Sequence, residues 1–373
     1  MKKTIILSIL ASIFAFANVV KAQELTFSGY AEWLGASVDQ TTLDGNTNHG
    51  KDYSGFDNGT YTRMTGNYST TLDSGLDVQG TMNIHSRDCM GDRQDNCDVV
   101  NDNFVTISGG FGAISFGERF GAGAAMLSRL TASGPTAEPD GNNMQFFYEV
   151  GDATYGATNE VEYANNHMKI MYMSNVISGF SFAVSYSDFT GNHGIIGENN
   201  SAVTTAGAAW GDYSDMLSAF GKYAMDIDGI GLELVYGIQT GNSGRAVTTD
   251  YNDLDETAYS VLVTYGNFAA DYRKNDAGDS GRPKNDGSGN DEGTSICGTY
   301  TMGNIGLGVC SVDSTFTTST NTTNENKMMT YNLQYELGGG MNLAATYFDH
   351  EQTENHVTDT DVEGIMTRLA IGF

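Results

Sequence analysis

From Leu25 to its last residue, the chain repeatedly alternates between apolar and polar or small residues. One such segment carries Ile230, Leu232, Leu234, Tyr236 and Ile238, with Gly231, Glu233, Val235 and Gly237 between them. Successive side chains of a β-strand point to opposite faces, so a period of two predicts a strand with one apolar face and one wet face.

Two kinds of connection separate these segments. Short turns such as Gly266-Asn267 and Gly303-Asn304 alternate with long polar stretches, of which 39–59 is the first and 352–361 the last. Gly, Asn and Asp supply the positive φ that tight hairpins need. Seven short turns and eight long stretches predict sixteen strands. The segment 157–173 is long enough to be two strands, which would make the count seventeen.

An even number of strands, with both chain ends on the short-turn side, is what a closed transmembrane barrel needs. Closure leaves no strand edge whose backbone groups lipid cannot satisfy. Tyrosines near strand ends suit the aromatic belts of such a barrel: Tyr61, Tyr68, Tyr186, Tyr236, Tyr259, Tyr265 and Tyr347. The alternative is a soluble sandwich, which buries its apolar face and need not sort its loops by length. We predict an all-β fold, a transmembrane antiparallel β-barrel of sixteen strands.

The first residues have the pattern of a secretory signal peptide. Two lysines precede an apolar run at 5–17, and Val20-Lys21-Ala22 provides a small-residue cleavage site. After this point no run of 18 apolar residues occurs, so no transmembrane helix is predicted. We expect 1–22 to be removed and 23–373 to form a single barrel domain.

The composition supports a folded, acidic chain. Of 373 residues, 46 are acidic and 18 basic, a formal net charge of −28, which loss of the three lysines in 1–22 makes −31. The 20 Tyr, 18 Phe and 2 Trp are too many for a disordered acidic chain. A chain this acidic is not expected to bind nucleic acid.

Three local features make the chain resemble the trimeric sixteen-stranded general diffusion porins of Gram-negative outer membranes. Leu25-Thr26-Phe27-Ser28-Gly29-Tyr30 is similar to the first strand of that family. The segment 111–119 is similar to the turn and strand that lead into the family's third, in-folded loop. Ile365, Leu369, Ile371 and Phe373 are similar to its terminal aromatic strand, which implies that Phe373 is an assembly signal for the barrel assembly machinery.

The same resemblance implies a constriction loop at 121–156 that narrows the channel. Six basic residues share the polar parity of their strands and are expected to face the lumen: Arg63, Arg87, Arg119, Lys222, Arg273 and Arg368. The resemblance places Glu138 and Asp140 on the loop, with Arg63, Arg87 and Arg119 opposite. Such opposed charges would create a transverse field. The alternative is that the basic side chains only solubilise a water-filled wall or pair with neighbouring carboxylates. A short helix at 123–130 would pack its Met126, Leu127 and Leu130 against the wall.

Four cysteines in an exported chain favour disulfides. The expected local pairs are Cys89 with Cys97 and Cys297 with Cys310. No metal site and no cofactor are predicted, because no two cysteines have CxxC spacing and the acidic loops 250–256 and 286–292 lack a Ca²⁺-loop register. Loop-bound Ca²⁺ is the alternative to solvated charge there.

The expected function is passive diffusion of small hydrophilic solutes and ions. The negative charge predicts a preference for cations, because a negative mouth raises their local concentration. The alternatives are a solute-specific channel or adhesin and, third, a barrel enzyme, although no G-x-S-x-G motif occurs and no enzyme activity is predicted. The expected location is the bacterial outer membrane. The expected partners are two further copies of the chain in a homotrimer, outer-membrane lipid and lipopolysaccharide, the barrel assembly machinery and small hydrophilic solutes.

Overall fold

The computed structural model describes residues 20–42, 55–86, 100–127, 130, 167–189, 213–243, 250–285, 287–317, 322–354 and 357–373. Sixteen antiparallel strands form a closed barrel in these residues, each paired with its neighbours in sequence and the first with the last. Within the same ranges, no helix has the length and apolar character needed to cross a membrane.

The strands are β1 (Val20–Thr42), β2 (Gly55–Leu72), β3 (Asp77–His85), β4 (Val100–Gly109), β5 (Gly112–Arg119), β6 (His167–Met173), β7 (Phe180–Phe189), β8 (Tyr213–Ile227), β9 (Ile230–Ser243), β10 (Leu254–Tyr265), β11 (Phe268–Gly278), β12 (Gly289–Met302), β13 (Ile305–Thr317), β14 (Thr323–Gly338), β15 (Met341–Glu354) and β16 (Val357–Gly372). A short helix, α1 (Ala122–Met126), follows β5.

The predicted count of sixteen strands is confirmed. The segment 157–173 contributes β6 alone among the described residues, and β6 pairs with both β5 and β7. The barrel closes where β1 meets β16, and the chain end takes part in this closure. The backbone N–H of Gly29 donates to the Phe373 carbonyl at 2.8 Å, and the Phe373 N–H donates back at 2.9 Å.

The two faces of the strands are distributed as the alternation predicts. Large apolar side chains are exposed on the outer surface, for example Leu234, Val263, Phe268, Ile296, Leu307, Leu333, Leu343 and Ile365. Their sequence neighbours point inward and include many buried polar side chains, for example Ser185, Ser218, Gln239, Ser260, Asn275, Ser295, Asn332 and Thr346. The barrel is therefore apolar outside and largely polar inside.

Tyr61 is an exception to the predicted aromatic belt. It is buried, and its hydroxyl hydrogen-bonds with Nδ1 of His85 at 3.0 Å, while its ring packs edge-on against Tyr30 at 5.4 Å. Tyr61 shares the parity of Arg63 and so points inward, whereas Tyr68 is exposed. Closeness to a strand end does not reveal which face a tyrosine takes; parity does.

Several strands continue into stretches that the sequence predicts as loops. The prediction for 352–361 is wrong, because β15 runs to Glu354, β16 starts at Val357, and Gln352 pairs with Thr360. A strand that extends beyond the bilayer contacts water on both faces, so polar residues can continue the hydrogen-bonded pairing of strands there. At the other end of the chain, β1 starts at Val20, before the predicted cleavage site. Cleavage after Ala22 would leave Gln23 as the first residue, opposite Thr70.

Candidate functional site

The chain turns into the barrel directly after β5. Residues 121–130, described at 121–127 and at 130, are called the inner segment below. They begin with α1, whose small residues Ala122, Gly123, Ala124 and Ala125 allow close approach to the wall. The N–H of Ala122 donates to Oγ of Ser185 on β7 at 3.1 Å.

An apolar track on the inner wall receives α1. Ala122 and Met126 are buried in a cluster with inward-facing side chains of β7 to β10, which are Ala183, Phe220, Val235 and Ala258. The ring of Phe220 lies over Gly237, where a Cβ would come within 2.1 Å of it. This contact explains why glycine occupies that position. Leu127, the residue after the helix, also packs against the cluster. Met126 and Leu127 thus pack against the wall as predicted, but the helix spans 122–126 and not 123–130.

The far end of the inner segment reaches β11 to β13. The N–H of Leu130 donates to Oδ2 of Asp271 at 2.8 Å, and Leu130 packs against Cys297 and Cys310. The described part of the predicted constriction loop 121–156 therefore lies inside the barrel and follows its wall.

Arg63 faces inward, as predicted, and pairs with an acid that sequence reasoning missed. Its Nη2 lies 3.2 Å from Oδ2 of Asp102 on β4. Asn83 donates to the same carboxylate oxygen, and Thr65 donates to Oδ1 of Asn83 at 2.6 Å. The carboxylate is almost fully buried, while about a third of the Arg63 side chain remains exposed to the lumen.

Arg368 also has its acid on the wall. Its Nε lies 4.0 Å from Oε2 of Glu32 on β1, and its Nη2 donates to side-chain oxygens of Gln334 and Asn342, both at 3.3 Å. Leu34 is the cross-strand partner of Arg368, so Glu32 is its diagonal neighbour. Diagonal neighbours are within reach of long side chains.

Two further basic residues also lie close to a carboxylate of the wall. Lys222 on β8 lies 2.9 Å from Oε1 of Glu233 on β9. Arg273 is buried on β11, with Nε 3.7 Å from Oδ2 of Asp271, the same oxygen that accepts from Leu130. Arg63, Arg368, Lys222 and Arg273 thus each have a carboxylate close by on the barrel wall itself.

Arg119 ends β5 and has a different environment. Its Nη1 donates to Oγ of Ser115 at 2.7 Å, and its guanidinium carbon lies 4.6 Å from the centre of the Phe104 ring. Lys169 on β6, which is not among the six predicted lumen residues, is buried and donates to the Arg119 carbonyl. Lys169 alternates with the apolar Met168, Ile170 and Tyr172, and this alternation predicts that it faces inward.

The remaining predicted site residues have different outcomes. Cys297 and Cys310 are joined by a disulfide across a cross-strand pair of β12 and β13. Arg87, Glu138, Asp140, Cys89 and Cys97 lie outside the described residues. Their roles, and the transverse field between loop and wall, stay predictions.

Carboxylates of the two acidic loops lie against cations of the protein. The pairs are Lys284 with Asp250 at 3.0 Å, Arg282 with Asp291 at 2.8 Å, and Lys274 with Glu292 at 2.7 Å. Across the ranges that the structure covers, no group of three His, Cys, Asp or Glu side chains is placed to hold a metal ion. Solvated and paired charge, rather than bound Ca²⁺, stays our prediction for these loops.

Comparison with known proteins identifies the family of this barrel. The family model described as Gram-negative porin matches residues 7–355. The chain belongs to the Gram-negative porin family. It is therefore an outer-membrane channel protein, and its apolar outer surface faces membrane lipid. No curated protein sequence matches it.

Solved porin structures share this fold at low sequence identity. OmpT of Vibrio cholerae, in its trimer form, is 14% identical with a TM-score of 0.59, covering 95% of this chain and 100% of that chain. The anion-selective porin of Comamonas acidovorans is 13% identical with a TM-score of 0.59, covering 94% and 100%. A mutant porin of Rh. blastica is 12% identical with a TM-score of 0.57, covering 94% and 100%.

Proposed function

We propose that this porin is a water-filled channel for passive diffusion of small hydrophilic solutes and ions, with a preference for cations. The observation that carries the proposal is the polar inner wall, on which basic side chains pair with carboxylates. A wall of this kind offers hydrogen-bonding groups to hydrated solutes and no continuous apolar barrier.

The preference for cations follows from the net negative charge that remains when the basic residues of the wall are paired with carboxylates. Arg63, Lys222, Arg273 and Arg368 lie against Asp102, Glu233, Asp271 and Glu32, so these four pairs add no net charge to the wall. The formal charge of the whole chain is nevertheless −28. The excess negative charge raises the local cation concentration at the channel entrance. Because of this pairing, these four inward basic residues do not make the lumen attractive to anions.

The reversal potential in a salt gradient tests this preference. Purified protein in a planar bilayer is expected to conduct ohmically, with a reversal potential of the sign that cation flow produces. Asp102→Asn leaves Arg63 without its carboxylate and Glu32→Gln does the same for Arg368, so each is expected to shift the potential toward anions. A matched control is Glu351→Gln. Glu351 lies on the outward-facing parity of β15, with Leu343 and Tyr347, so this change removes a carboxylate that does not face the lumen. A wild-type potential of anionic sign contradicts the proposal.

Solute uptake separates passive diffusion from the alternatives. Vesicle swelling is expected to decrease steadily with the size of a sugar, and single-channel current is expected not to saturate with sugar concentration. Saturable block would favour a solute-specific channel instead. Ester turnover without conductance would favour an enzyme, and we expect none.

We further propose that the channel assembles as a homotrimer in contact with lipopolysaccharide, inserted by the barrel assembly machinery. The likeness to the trimer form of OmpT supports the oligomeric state. Native mass spectrometry of the detergent-solubilised protein is expected to give three times the mass of the chain without 1–22. A mass of one copy contradicts the trimer.

A further inference from the structure

Three adjacent strands present one continuous contact surface to the end of the inner segment. Asp271 on β11 is the cross-strand partner of Cys297 on β12, and Cys297 is the partner of Cys310 on β13. Leu130 contacts this surface twice: through its N–H to Asp271, and through its side chain to the cysteines. We call Asp271, Cys297 and Cys310 the loop seat.

Each part of the loop seat has a chemically distinct contact with Leu130. The Asp271 side chain is fully buried, and its Oδ2 accepts from Leu130 at 2.8 Å while lying 3.7 Å from Nε of Arg273. The disulfide is an apolar, covalently fixed patch, and both of its cysteines are 1% exposed. A pair of serines would place hydroxyls there and remove the covalent link.

The inner segment has two attachment regions that differ in kind. The first is the apolar track under α1, held by Met126 and Ala122 against β7 to β10. The second is the loop seat, which is farther along the segment and combines a hydrogen bond to a buried carboxylate with apolar packing. The track thus contacts the start of the inner segment, and the loop seat contacts its last residue, Leu130.

We propose that the Cys297–Cys310 disulfide, together with Asp271, positions the inner segment and thereby sets the width and steadiness of the channel. The role is one of positioning, and it rests on the proposed function as a diffusion channel. The disulfide is thus a part of the constriction and does more than tie two strands together.

The test compares five variants in planar bilayers and in vesicle swelling. Leu130→Ala and the double variant Cys297→Ser/Cys310→Ser are expected to raise open-channel current noise and to raise the permeation of large sugars relative to small ones. Combining both changes is expected to give no more than the larger single effect, because both remove the same contact. Asp271→Asn retains an acceptor oxygen and is expected to change these readouts less than Asp271→Ala.

Ile296→Ser is the control for a purely structural role. Ile296 is exposed on the outer face of β12, beside Cys297 and opposite Ser311, so this change weakens the same hairpin from the lipid side. It is expected to lower the urea midpoint of unfolding without changing noise or size selection. The proposal is overturned if the serine variants lower the urea midpoint and leave noise and size selection as in the wild type. A wild-type protein that does not conduct would instead overturn the proposed function.

Discussion

Truncating Met126 tests whether burial on the inner wall holds the inner segment in place. Met126 is 3% exposed and packs with Phe220 and Val235. Met→Ala changes at buried sites cost about 2–5 kcal/mol, and a short segment that can relax belongs at the low end. A loss of about 2 kcal/mol corresponds to a roughly 30-fold larger undocked fraction.

Amide hydrogen exchange in detergent or lipid measures that fraction. The N–H of Leu127 donates to the Gly123 carbonyl at 2.9 Å and exchanges only when α1 opens. Met126→Ala is therefore expected to accelerate exchange in a peptide spanning 121–127 by about 30-fold. Met302→Ala is the matched control, because Met302 is exposed on the outer surface and its truncation leaves α1 untouched.

A double-mutant cycle with Phe220→Ala tests the contact itself. Side chains that touch show coupling energies of about 0.5–3 kcal/mol, whereas distant ones add. Additive effects of Met126→Ala and Phe220→Ala, or exchange in Met126→Ala that matches Met302→Ala, would refute the docking of α1 on the apolar track.

Three further predictions concern the barrel. Leu234→Arg places a charge on the lipid face and is expected to lower the free energy of unfolding in lipid vesicles by about 2–4 kcal/mol, measured by urea titration, whereas no loss contradicts the assigned face. Gly237→Ala puts a Cβ 2.1 Å from Phe220 and is expected to cost about 1–3 kcal/mol, whereas in Gly221→Ala the nearest atom is 3.5 Å away and stability is expected to hold. Deleting Phe373 removes its two hydrogen bonds with Gly29 and the proposed assembly signal. It is expected to reduce folded protein in outer-membrane fractions, and undiminished assembly would contradict the role of Phe373.

The sequence predicts the strands well because a single period of two controls them. A lipid-facing strand must be apolar at every second residue, so segments such as β9 and β10 are recognisable in isolation. The ends of the strands are harder to predict, because only residues inside the membrane must be apolar at every second position. The polar composition of 88–102 predicts a loop, yet β4 begins at Val100, because strand pairing with β3 continues there.

The sequence predicts which side chains face the lumen but not which side chains they pair with. Parity identifies Arg63 and Arg368 as inward, whereas their proximity to Asp102 and Glu32 depends on cross-strand register, which distant parts of the chain determine. The apolar track under α1 is recognisable in the sequence. Phe220 and Val235 are apolar residues on the polar parity of their strands, and an apolar residue there indicates contact with something other than water.

Cysteine accessibility at two adjacent positions of β14 tests the central claim most directly. Leu333 is exposed on the outer surface, and Gln334 beside it points inward, where its Oε1 accepts from Arg368. With Cys89 and Cys97 replaced by serine, Gln334→Cys and Leu333→Cys are each exposed to a charged, water-soluble thiol reagent in outer-membrane vesicles. We predict fast labelling of Gln334→Cys through the lumen and no labelling of Leu333→Cys, which faces hydrocarbon. The opposite pattern would contradict a barrel that is apolar outside and wet inside.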